Sequence, residues 1–134
     1  EMWCGRRSMA KPTDPGMLDN IAAGGLPVGE FLQSCSVREM AEEAGLSEDL
    51  AMTAWANGSV TTCRSVKRGW HYETLWVYNL LVPADVQPVN QDGEVAEFSL
   101  LSPQQVVQAI ATKSMTVDAS CAIAHAVLNL DFVA

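Results

Sequence analysis

The chain has 134 residues, 49% of them hydrophobic and 18% charged, a balance that suits one globular domain with a real core and excludes disorder. Its formal charge of -8 argues against nonspecific nucleic-acid or anionic-membrane partners, and favours a bound cation wherever the acidic residues cluster. There is no apolar run near the roughly 20 residues of a spanning helix and no apolar core of a secretory signal at the N-terminus, so a cytoplasmic address is expected.

Residues 2–6, within "MWCGRRS", read as a short strand with no turn or cap before it, so an upstream piece is expected and the chain is treated as an N-terminally truncated domain. "KPTDPGMLDN" is a loop, because its prolines, glycine and Asx residues disfavour regular structure. A strand over residues 18–23 leads to the Gly24-Gly25 break, and a helix is expected over residues 31–44. Glu30 suits the positive end of that helix and Gly45 its left-handed stop. Ser47 opens a second short helix.

"SVTTCRSV" and "HYETLWVYNLLVP" carry the β-branched and aromatic residues of two strands, paired as a hairpin about "KRGW". Residues 83–95 form a loop and "AEFSLL" a strand. Ser102-Pro103 then caps a helix over residues 104–112, and an apolar helix over residues 118–133 closes the chain. Cys4, Cys35, Cys63 and Cys121 are scattered without metal-ligand spacing, so buried or incidental thiols are expected rather than zinc or disulfides. Strands interspersed with helices indicate a layered α/β domain.

In the helix of residues 31–44, Glu39, Glu42 and Glu43 fall within an arc of roughly 100° at helical spacing, with Val37, Met40, Ala41 and Ala44 opposite. Like charges at such spacing weaken a helix by roughly 0.2–0.5 kcal/mol per pair. Either the face is simply solvated, or a cation offsets the repulsion. Mg2+ or Mn2+ is suited to the second role, since a hard ion takes oxygen ligands and keeps positions open for water and phosphate.

Gly24, Glu30, Arg38, Glu39, Met40, Glu42, Glu43, Gly45 and Leu46 fit the spacing G-x5-E-x7-R-E-U-x-E-E-x-G-U at every fixed position. This segment resembles the Nudix box. The resemblance implies an α/β/α sandwich with a mixed β-sheet, its first strand absent here, and a metal-dependent hydrolase acting on a small-molecule diphosphate. Carried over, Glu39, Glu42 and Glu43 are metal ligands, assisted by a backbone carbonyl at Ala23 or Gly24, with one glutamate a candidate base. Arg38 is read as orienting these carboxylates.

Nudix enzymes often add an acidic residue from a later loop, either as a ligand or as the general base. Glu94 is the first candidate and Asp92 the second, followed by Glu97 and Glu73, the alternative being that they are turn or edge-strand charges. Lys11, Arg6 and Arg7 are near enough to the box to meet a diphosphate, or are surface charges. Trp70 is the best of the aromatic residues for stacking on a heteroaromatic ring, against a packing role; Trp55, Tyr72 and Trp76 share the ambiguity, as does His71, while His125 is read as packed.

"KPTDPGMLDNIAAGG", "LWVYNLLVPAD" and "QDGEVAEF" further resemble the thiamin pyrophosphokinase-related Nudix subgroup, similar to enzymes that remove phosphate from oxidised thiamin diphosphate. The alternatives are a hydrolase of nucleoside diphosphate derivatives such as ADP-ribose or nucleotide sugars, and a noncatalytic Nudix-like binding module. The sequence carries no signal for oligomeric state.

Overall fold

The structure, a computed structural model, describes residues 1–129. In chain order the elements are β1 (Met2–Arg7), β2 (Leu18–Asp19), α1 (Leu32–Ala44), α2 (Glu48–Ala51), β3 (Trp55–Val66), β4 (Gly69–Asn79), β5 (Val95–Leu101), α3 (Pro103–Ala111) and α4 (Val117–Leu128). β1 is the middle strand of a three-stranded sheet, antiparallel to β2 on one side and to β5 on the other. β3 and β4 form a separate antiparallel ladder. Among the described residues, parallel pairing is confined to the Leu18–Met115 bridge.

Strand alternation gives the central sheet two working faces. Cys4 and Leu18 pack with Val106, Ala109, Met115, Ala119 and Ile123 on the side of α3 and α4. On the other side Phe98, Ile21 and Ala22 pack against Met40, Ala44, Leu46 and Ala51 around α1 and α2. The outcome is the expected α/β sandwich. Among the described residues no helix is long and apolar enough to cross a membrane.

α4 fastens the β3–β4 hairpin to this body. The Arg64 guanidinium grips Asp118 through two hydrogen bonds of 3.0 and 3.1 Å, and Thr62 donates to the same carboxylate at 3.3 Å. At the helix's far end His125 Nε2–H donates to Asn57 O at 2.7 Å, where β3 bulges between Ala56 and Ser59. A carbonyl only accepts, so this contact sets the imidazole's donor nitrogen.

Several boundaries differ from the sequence reading. The second strand stops at Asp19 rather than residue 23, because Ile21 and Ala22 turn into the core instead of extending the ladder. The hairpin register pairs Val66 with Gly69, leaving Lys67 and Arg68 as the turn and drawing Trp70 into β4. α1 begins at Leu32, and Phe31 at its N-cap is without a side-chain cap bond. Glu30 does not cap α1 either; its carboxylate is taken by Arg38. α4 starts at Val117 behind a Thr116 cap, and the expected continuation over residues 130–133 lies outside the described residues.

The ends of α1 and α3 follow their local chemistry. Gly45 takes a left-handed conformation, φ 63°, as its N–H reaches Ala41 O at 3.1 Å while Leu46 N–H reaches Met40 O at 3.2 Å. A Cβ at Gly45 would stand 2.7 Å from Val89 O, so glycine is required twice over. Ser102 and Gln105 close a reciprocal capping box around Pro103.

Candidate active site

α1 presents its acidic residues in two directions. Arg38 gathers three carboxylates, forking onto Glu30 at 3.1 and 2.9 Å and reaching Glu39 at 2.7 Å and Glu42 at 3.1 Å. The guanidinium holds Glu30 below the ordinary glutamate range, and the same contacts raise its own pKa, Glu30 contributing most. Part of the repulsion expected along this face is therefore offset within the helix itself. Glu42 stays exposed, whereas the Glu39 carboxylate lies against the loop, where a Cβ at Gly24 would fall 1.9 Å from its Cδ. Only a glycine admits that approach.

Glu43 is not on a solvated face. It is 8% exposed and accepts a hydrogen bond from the Ala23 N–H at 2.8 Å. Burial pushes its carboxyl up to about 7, opposed by the Ala23 N–H and reinforced by the charges of Glu39 and Glu94. Ala23 thus meets Glu43 through its N–H.

The chain's later loop completes the cluster. Glu43, Asp92 and Glu94 each offer a carboxylate oxygen, and these lie within 4.8 Å of one another. Asp92 also accepts from Glu94 N–H at 2.8 Å, which ties the loop's turn to its acidic arm. Lys11 forms an ion pair with Glu94, and this hydrogen bond holds Glu94 below the ordinary range against the upward pull of burial. A small pocket opens here, lined by Gly5, Arg7, Lys11, Asp19, Asn20, Ala23, Glu43, Glu94 and Val95.

Apart from Arg7, the remaining candidates lie away from the pocket lining. Arg6 donates to Glu97 at 2.8 Å and to Gly16 O at 3.0 Å, so these two candidates satisfy each other. Its neighbour Arg7 lines the pocket instead, donating to Asp19 at 2.8 Å and to Thr13 O at 3.0 and 2.9 Å. Glu73 is held by His71 on β4. Trp70, beside the hairpin turn, is 77% exposed, and Tyr72 and Trp76 follow it along the same strand face. Sequence patterning does not single out Asp19 and Asn20, whose nearness to the Gly24-Gly25 break is the one available signal.

Comparison with known proteins identifies sequences similar to this chain. A family model described as the NUDIX domain matches residues 1–120. Nudix hydrolase 20, chloroplastic, of Arabidopsis thaliana is 40% identical over 122 residues, covering 91% of this chain and 32% of the relative. Nudix hydrolase 24, chloroplastic, of the same plant is 41% identical over 122 residues, covering 91% and 33%. An uncharacterized protein of Saccharomyces cerevisiae is 31% identical over 125 residues, covering 84% and 36%. The chain spans about a third of the length of these relatives.

Proposed function

The chain belongs to the Nudix domain family, and on that premise we propose that it is a divalent-metal-dependent hydrolase cleaving a diphosphate that carries an organic group. The observation that carries this reading is the convergence of Glu43, Asp92 and Glu94 within 4.8 Å beside Lys11. An all-carboxylate donor set suits a hard ion such as Mg2+ or Mn2+. Glu43, Asp92 and Glu94 would hold the ion, with Glu39, Glu42 and a carbonyl of Ala23 or Gly24 proposed as further ligands from the box resemblance. Bound there, the ion supplies positive charge against the phosphate bridge and lowers the pKa of water.

The protein's own groups divide the remaining work. Arg38 positions Glu39 and Glu42. Lys11 supplies a point charge to the diphosphate. Of Glu43 and Glu94, the carboxylate left uncoordinated by the ion serves as the proton acceptor of the pocket. Gly24 lets the loop lie directly against the Glu39 carboxylate.

Oxidised thiamin diphosphate is the proposed substrate, supported by the stretches "KPTDPGMLDNIAAGG" and "QDGEVAEF" and their likeness to the thiamin pyrophosphokinase-related subgroup. The test measures product formation from oxidised thiamin diphosphate and from ADP-ribose, side by side, with Mg2+ or Mn2+ and after chelation. Turnover of the first, dependent on the added ion and largely lost in Glu42→Gln with unchanged circular dichroism, is expected. Turnover of ADP-ribose alone would move the substrate assignment. The enzymatic reading fails if neither compound is consumed and calorimetry registers no Mg2+ or Mn2+ uptake at neutral pH.

A further inference from the structure

Lys11 reaches Glu94 across 83 positions of sequence, and that placement is built rather than accidental. Ser8 N–H donates to Glu94 O at 2.8 Å, and Lys11 N–H donates to Ser8 O at 3.1 Å, so the start of the loop is fastened to Glu94, the residue that leads into β5. Its far side is clamped where Arg7 donates twice to Thr13 O, at 3.0 and 2.9 Å. The loop therefore holds the lysine backbone beside the acidic cluster, while the ammonium at the end of a flexible stem remains free to swing. Arg7, the other cation in the pocket lining, is occupied by Asp19 and Thr13.

We propose that Lys11 is a tethered counter-ion for the Glu43, Asp92 and Glu94 cluster, competing with a divalent cation for Glu94 and released when that cation binds. This rests on the metal-binding reading above. The ammonium and a divalent ion carry like charge, so an ion arriving at Glu94 repels the lysine from that carboxylate and coordination takes the place of its hydrogen bond. The competition has two consequences. The cluster is partly neutralised while metal is absent, and the lysine becomes available to a phosphate group when metal is loaded.

The experiment titrates Mn2+ into the wild-type chain and Lys11→Met by calorimetry, without substrate, with Lys113→Met as a control for net charge. Lys11→Met is expected to bind Mn2+ about three- to fivefold tighter, the range that an incompletely buried ion pair supports, and Lys113→Met is expected to match wild type. In a Glu94→Gln background the Lys11→Met gain should largely vanish, because the pair no longer exists. On wild-type protein, acylation of Lys11 read by mass spectrometry should quicken on adding Mn2+. Unchanged or weaker Mn2+ affinity in Lys11→Met, an equal gain without Glu94, or acylation indifferent to Mn2+ overturns the proposal while leaving the metal site standing. If wild type and Lys11→Met both take up no Mn2+, the metal-site reading falls and this inference falls with it.

Discussion

Glu43→Gln separates the cost of a buried charge from the value of a ligand. Burial carries the Glu43 carboxyl from the 4.5 of an ordinary glutamate to about 7. The folded protein therefore binds a proton that the unfolded chain has released across that interval, so this group's stabilising contribution is full below 4.5 and is lost as pH rises through about 7. At about 1.36 kcal/mol per pH unit, ionised Glu43 costs roughly 2–3 kcal/mol at about pH 8 once some local solvent relaxation is allowed. Glutamine keeps an acceptor for the Ala23 N–H and carries no charge.

In chelator, urea unfolding should show Glu43→Gln more stable than wild type by about 2–3 kcal/mol at about pH 8, and by less than about 1 kcal/mol at about pH 5. With Mn2+ present the difference should narrow, because only wild type retains the full ligand set and gains from binding. A stability gain of the same size at both pH values would refute the assignment of the cost to a buried charge.

Gly24→Ala forces a methyl into the Glu39 carboxylate and should lower kcat/KM at least about tenfold with the circular dichroism spectrum retained. Arg38→Lys keeps the charge but not the fork onto Glu30, and steady-state kinetics should show a loss of about 10- to 100-fold. Gly45→Ala meets both a left-handed backbone and Val89 O, and urea unfolding should register a loss of about 1–3 kcal/mol. Asp118→Ala removes the partner of Arg64 and Thr62, costing about 1–2 kcal/mol, with faster amide exchange along β3 as its local signature.

What sequence reasoning reached was mostly local chemistry. The span and stop of α1, the Ser102 cap and the hairpin each follow from residues within a few positions of one another. Glu43 shows where that reasoning ends: a helical wheel places it beside Glu42, but its burial depends on Ala23 and Glu94 arriving from other parts of the chain. Adjacent Arg6 and Arg7 point in different directions along β1, and strand periodicity alone does not say which one meets the pocket. Trp70 was attractive as a ring-stacking residue for its type, yet the hairpin register puts it next to the turn. The early end of β2 is not legible in the sequence because Ile21 and Ala22 look like strand residues while serving the α1 core.

The antiparallel marriage of the first strand to the fifth, across most of the polypeptide, has a bearing on how competence is acquired. Lysine and acidic arm are brought face to face by that ladder, so a nascent chain with a fully wound glutamate helix still possesses only half of the proposed site. Long-range closure of this kind is slow relative to local winding. Turnover should therefore be among the last properties to appear on refolding, well behind helical ellipticity.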